Sequence, residues 1–189
     1  MLDSLRSHSL RSARPAFEVL MHRRLPFALA LAVLLTVPAA SARAEATPWR
    51  GWDAGMKAAG ANKRFVMVDV YTDWCGWCKR MDRDVFSNPE VREYLGKKFV
   101  TVRLNAEAGD AAHYEGKDFT SRTLATRFGV TGYPTTIFLR ANGDHLANVP
   151  GYLPADRFLL LLRYIGDGAL DRGVTFDEFT KSSAGGSAK

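Results

Sequence analysis

Cysteine occurs only twice in this 189-residue chain, and both copies fall in the run Asp73-Trp74-Cys75-Gly76-Trp77-Cys78-Lys79. Two intervening residues let the sulfurs reach each other, so the chemistry on offer is dithiol–disulfide exchange, with Cys75 and Cys78 as a redox-active disulfide. The flanking sequence sharpens that reading. Residues 65–71 (Phe-Val-Met-Val-Asp-Val-Tyr) form the pattern of a buried strand, and residues 79–85 contain no Gly or Pro and suit a helix. A helix beginning near Cys75 aims unpaired backbone N–H groups and the positive end of its dipole at the first sulfur, favouring thiolate over thiol. In such settings a thiol pKa falls from about 8.5 to between roughly 3.5 and 7.5. Cys75 is therefore the expected nucleophile. Cys78, one helical turn further in, is expected to be shielded and less acidic, and to resolve the mixed disulfide that Cys75 forms with a substrate. The exchange requires no metal and no organic cofactor.

The elements that must hold this dithiol are legible around it. Thr47-Pro48 followed by Trp49, Trp52, Met56 and Ala59 predicts a short amphipathic helix with Thr47 as cap and Pro48 in its first turn. Asn88-Pro89 opens a further helix that ends at Gly96, and residues 99–104 read as a strand. Residues 105–120 are polar, contain glycine and show no clean period, which predicts a surface excursion. Residues 121–128 suit a helix closed by Gly129. Residues 135–139 and 145–149 predict a hairpin joined through Asn142-Gly143. Residues 154–165 carry the last strong helical pattern, Thr175 and Glu178 offer a cap for one further turn, and residues 182–189 have the composition of a disordered tail.

The N-terminal residues bear on compartment. Met21-His22-Arg23-Arg24, an apolar run over 27–37 and the small residues Ala40-Ser41-Ala42-Arg43-Ala44 make residues 21–44 a secretory signal peptide by pattern. The apolar run is short of the ~20 residues a membrane-spanning helix needs, so no stable membrane insertion is expected once the leader is cleaved. Residues 1–20 add nothing that export requires and read as a start assigned too early, or as an extended leader. Six of the 26 basic and two of the 20 acidic residues lie within 1–44, so the formal charge of +6 falls to 20 minus 18, or +2, beyond it. A balance that small gives no reason to invoke nucleic acid or an anionic membrane as partner.

Bland readings compete with the redox one. A structural disulfide would close so tight a ring that it removes little chain entropy and stabilises weakly. A metal half-site would have only His113 and His145 beyond the leader to complete four ligands. Trp74 and Trp77 either cover the cysteines or, with Gly76 between them, touch substrate. His113 and His145 read as solvated loop residues, and exposed charges such as Asp73 and Lys79 are screened and contribute under ~1 kcal/mol.

Three separated segments carry a resemblance: 68–79 (Val-Asp-Val-Tyr-Thr-Asp-Trp-Cys-Gly-Trp-Cys-Lys), 85–91 (Val-Phe-Ser-Asn-Pro-Glu-Val) and 130–135 (Val-Thr-Gly-Tyr-Pro-Thr). With them the chain resembles the thioredoxin-fold superfamily from residue 65 to about 166. It is similar there to exported thioredoxin-like proteins and to the C-terminal periplasmic domain of the thiol:disulfide interchange proteins. The resemblance implies an α/β thioredoxin fold, a central mixed β-sheet flanked by helices. The domain would span 65–168, with an N-terminal helical extension at 45–64 and a C-terminal tail at 169–189. It implies that Pro134 is a cis-proline beside the dithiol, leaving the Tyr133 backbone free to pair with an extended substrate segment. It also makes Asp69 a buried acid beneath the cysteines, its pKa raised by desolvation toward a value useful for moving the Cys78 proton. Arg103 falls where that acid often has a basic neighbour, and its permanent charge would oppose the rise. The expected substrates are disulfide-containing proteins in the periplasm or another exported compartment, and the expected electron source is a membrane-embedded thiol reductant. Gly76-Trp77 resembles the inter-cysteine pair of some isomerases and reductases, which favours a reductase. The alternative class is a thioredoxin-fold binding module, a client chaperone or a copper carrier, with incidental thiols.

Overall fold

The computed structural model describes residues 47–185. The leader readings at 1–20 and 21–44 lie outside the described residues.

Chain order is α1 (Trp52–Asn62), β1 (Phe65–Tyr71), α2 (Gly76–Met81) continued by a π-helical turn (Asp82–Phe86), α3 (Pro89–Lys98), β2 (Phe99–Asn105), β3 (Ala111–Tyr114), β4 (Lys117–Thr120), α4 (Ser121–Arg127), β5 (Thr135–Leu139), β6 (His145–Pro150), α5 (Ala155–Gly166) and α6 (Phe176–Gly185). Four strands form a mixed sheet in the order β2-β1-β5-β6, in which β1 pairs parallel to β2 and antiparallel to β5. This is the thioredoxin fold expected from the sequence. Because side chains alternate across a strand, β1 feeds two cores at once. Val66, Val68 and Val70 join Trp52, Val102, Leu124 and Ile137 on one face. Met67 joins Met81, Phe86, Phe138, Phe158 and Leu162 on the other. Burying apolar area at about 25 cal/mol per Å² on both faces leaves β1 with hydrophobic cover, and Asp69 as its one carboxyl group.

Three local expectations are corrected. Thr47 and Pro48 do not start α1. The helix begins at Trp52 after an extended Gly51, and residues 47–50 cross the edge of β2 instead. Arg50 bridges Val102 in parallel there, and the Thr47 hydroxyl donates to the Phe86 carbonyl. Trp49 and Trp52 share helical spacing in the sequence but serve opposite faces of the sheet, Trp49 packing edge-on to Phe86 and Trp52 to Tyr114. Residues 105–120 are not a structureless excursion: β3 and β4 form a two-stranded hairpin. Its turn, Glu115-Gly116, takes positive φ at both residues, a geometry more often signalled by Asn-Gly or Asp-Gly. Residues 182–185 belong to α6, whose start is fixed by a reciprocal cap in which Glu178 N–H donates to the Thr175 hydroxyl and Thr175 N–H to the Glu178 carboxylate. Phe176 and Phe179 anchor that helix on Tyr164 of α5, at centroid distances of 5.3 and 5.5 Å.

The contact of α1 with β2 is tight enough to test. A Cβ added at Gly55 would sit 2.2 Å from the Val102 Cγ2 methyl. Gly55→Ala should lower stability by about 1–3 kcal/mol despite the better helix propensity of alanine, read as a lower urea midpoint at unchanged slope. An unchanged or higher midpoint would mean α1 does not press on β2 as described.

Candidate active site

Strand β1 ends at Tyr71, and the turn that follows is closed by Cys75 N–H donating to the Thr72 carbonyl at 3.2 Å. Cys75 is the N-cap of α2: its backbone is extended and its Sγ accepts the Cys78 N–H at 3.0 Å. The two sulfurs are joined, with their Cα atoms 5.3 Å apart. Burial does not distinguish the cysteines in this oxidised pair, since Cys75 is 4% and Cys78 5% exposed. The helix-end N–H does. Once the bond is reduced, a donor aimed at Cys75 Sγ favours the anion on that sulfur.

Around the pair stand exposed aromatic side chains. Trp74 and Trp77 are 66% and 54% exposed. Trp74 is steadied by its indole N–H, shared between both Glu107 carboxylate oxygens at 3.0 Å, and stands edge-on to Tyr133. Trp77 lies 5.5 Å from Tyr152, ring centroid to centroid. The Tyr133–Pro134 peptide is cis. Trp77, Tyr133 and Pro134 line one groove of about 310 Å³ together with Gly151 and Tyr152. Pro134 O accepts from Gly151 N–H at 2.8 Å, whereas the Tyr133 backbone makes no hydrogen bond among the described residues. Gly76 is exposed, and a Cβ there would meet nothing within 4 Å, so close packing does not demand glycine at that position.

Sequence reasoning missed Gly151, Tyr152 and Glu107. The run Pro150-Gly151-Tyr152-Leu153-Pro154 between a strand and a helix was a turn signal, and an aromatic residue inside it was the available hint. Nothing local marked Glu107 as the partner of a tryptophan 33 positions away. His113 and His145 sit on β3 and β6 rather than in loops, His113 against Asp53 and His145 against Asn148.

Asp69 lies on the same face of β1 as Met67, the face that α2, α3 and α5 cover. Its side chain is 2% exposed, and Oδ1 has no hydrogen-bond partner among the described residues. Oδ2 accepts from Arg103 Nε at 3.3 Å. Arg103 also pairs with Asp82, in the first turn after α2, while its guanidinium sits over Trp49 at 4.4 Å and Tyr71 at 5.2 Å. Loss of hydration raises the Asp69 pKa to about 7; Arg103 opposes the rise and Asp82 adds to it. Desolvation wins because the arginine is shared: the Asp82 carboxylate takes part of its field.

The thioredoxin-like domain family matches residues 52–166. The thiol:disulfide interchange protein DsbD of Tatumella citrea is 34% identical over 113 residues, 59% of this chain and 18% of that protein. The chain thus spans under a fifth of the length of such relatives. Among solved structures, a thioredoxin from Thermus thermophilus shares 28% identity with a TM-score of 0.53, over 64% of this chain and 88% of the other. A thioredoxin-fold protein from Helicobacter pylori shares the fold at 22% identity and a TM-score of 0.58, over 64% of this chain and 80% of its own.

The raised Asp69 pKa has a consequence for stability. In the unfolded chain this carboxyl titrates near 3.9, so between about pH 4 and 7 the folded state holds a proton that the unfolded state has released. Its contribution is fully present below about pH 4 and is lost as pH rises through 7, a total on the order of 4 kcal/mol. Asp69→Asn should therefore be more stable than the parent at pH 8, with the gap closing toward pH 4. Parallel pH profiles of urea stability for the two proteins would contradict the assignment.

Proposed function

This chain belongs to the thioredoxin-like family, and from that membership we propose that it is an exported thiol-disulfide oxidoreductase working as a disulfide reductase on protein substrates. The observation that carries the reading is the Cys75–Cys78 pair at the N-terminus of α2, with the Cys78 N–H donating to Cys75 Sγ and with Trp77 of the same turn lining a groove that holds Tyr133 and Pro134.

In the proposed cycle, the Cys75 thiolate attacks one sulfur of a substrate disulfide. A Cys75–substrate bond forms, the substrate S–S bond breaks, and the departing thiolate takes a proton from water. The Cys78 proton passes to the Asp69 carboxylate, and the Cys78 thiolate attacks Cys75 Sγ. The Cys75–Cys78 bond closes and the second substrate thiol leaves. Two electrons have moved from the pair to the substrate. A group with a pKa of about 7 suits the proton step, because it is both an available base and an acid that can return the proton near neutral pH.

An extended substrate segment pairs with the open Tyr133 backbone, so main-chain hydrogen bonds supply affinity with little demand on sequence. The aromatic rings of Trp74 and Tyr133, which stand edge-on to each other, cover apolar groups of the bound segment. The signal-peptide pattern at 21–44 and the likeness to thiol:disulfide interchange proteins support an exported location. They also support re-reduction of the pair by a membrane-embedded thiol donor. Among the described residues no helix is long and apolar enough to cross a membrane.

Cysteine variants test the order of events. Cys78→Ser should accumulate a mixed disulfide through Cys75 when incubated with an oxidised protein substrate, and Cys75→Ser should form none and lose exchange. Adducts forming on Cys78 in the Cys75→Ser protein, at a rate equal to that of the Cys78→Ser protein, would overturn the assignment of nucleophile and resolver.

A further inference from the structure

Arg80 stands at the groove although neither thiol exchange nor strand pairing calls for a cation there. Its guanidinium carbon lies 5.2 Å from the Trp77 ring centroid and 5.1 Å from that of Tyr152. Those two rings line the groove that also holds Tyr133, Pro134 and Gly151. Nε of Arg80 donates to Asp84 at 3.1 Å, and the two terminal nitrogens donate to no group among the described residues. Asp84 cannot neutralise it fully, because its carboxylate also accepts from Arg83 at 2.8 Å, leaving the trio with a net positive charge. An arginine held by two ring faces and one carboxylate, with its outer nitrogens unused, is prepared to take a second carboxylate in a bidentate pair.

Trp74, which stands edge-on to Tyr133, has surroundings of opposite sign. Glu107 holds the Trp74 indole, and Asp73 accepts from the Asn105 amide at 3.2 Å. Both partners are neutral and neither carboxylate is in an ion pair among the described residues, while Arg122 donates to the Glu107 backbone carbonyl at 2.7 Å. The recognition surface therefore runs from negative beside Trp74 to positive beside Trp77.

We propose that Arg80, with Trp77 and Tyr152, forms a specificity-determining subsite that selects an acidic side chain next to the cysteine of an extended substrate segment. The opposite polarity at Glu107 and Asp73 sets the direction in which that segment binds. The subsite rests on the reading of the Cys75–Cys78 pair as an exchange centre.

The test uses the reduced protein and short blocked peptides carrying one cysteine, each presented as its symmetric disulfide. In one series Glu, Gln or Lys precedes the cysteine, and in a second series it follows. Rates of oxidation are followed by tryptophan fluorescence, with hydroxyethyl disulfide as an uncharged small substrate. In one of the two series Glu should outrun Gln by about five-fold and Lys by more, with the advantage shrinking as salt is added. Arg80→Gln should bring the Glu-to-Gln ratio to about one, and Arg80→Lys should restore only part of it, because a point charge lacks the planar fork. The ratio is taken within each variant, so any change in the reactivity of Cys75 itself cancels. A ratio near one in both series, or a ratio that survives Arg80→Gln, overturns the subsite. If hydroxyethyl disulfide still reacts in that case, the exchange reading stands and the subsite alone falls. If neither it nor any peptide reacts, both fall together.

Discussion

The active end of this molecule depends on one carboxyl group kept out of water. Asp69 sits in the middle of the central strand, with Arg103 beside it in register on β2 and Thr136 on β5, and with helices over its face. A strand so placed could carry an apolar residue at lower cost. Burying an ionisable group without full pairing disfavours its charged form by several kcal/mol, which here shows as a carboxyl that titrates near 7. The countercharge is positioned so that it tempers this effect without cancelling it. Arg103 is pinned between the Trp49 and Tyr71 rings and divided between Asp69 and Asp82.

In the proposed proton step, that arrangement gives the segment before α1 an indirect role. Residues 47–50 follow the outer edge of β2, where Arg50 exchanges backbone hydrogen bonds with Thr101 and Arg103 and the Thr101 hydroxyl donates to the Pro48 carbonyl. The consequence is that Trp49 covers the Arg103 guanidinium. Shielding this arginine from solvent strengthens its field at Asp69 and fixes its geometry. In the proposed function, the chemistry and its recognition surface are carried by different parts of the fold. The sheet and α2 hold the proton and sulfur groups, whereas Trp74, Trp77, Tyr133 and Tyr152 hold the rim. Two large exposed indoles beside the cysteine pair fit the substrate contact proposed for them.

Much of this was legible in residue order because it is local. The strand over 65–71, the dithiol and the helix after it follow from hydrophobic runs and from the absence of helix breakers, and the hairpin around Asn142-Gly143 follows from its turn. Misreadings arose where a local signal was outweighed by tertiary contacts. Thr47-Pro48 has the form of a helix start, yet Trp49 gains more by packing on Phe86 and Arg103 than by continuing α1. The strands β3 and β4 have four residues each, too few for a period to stand out, although Ala112 and Tyr114 of β3 join the core. The part of Arg80 and Tyr152 in the groove wall could not be read, since it joins α2 to the turn after β6 across distant positions.

The most direct measurement of the central claim is the equilibrium reduction potential of the Cys75–Cys78 pair, titrated against glutathione with alkylation of the free thiols. An electron-donating pair is predicted to lie at or below about −230 mV. A value near −120 mV would make the chain a disulfide donor and contradict the proposed direction, and a pair that never exchanges would contradict the account of the site.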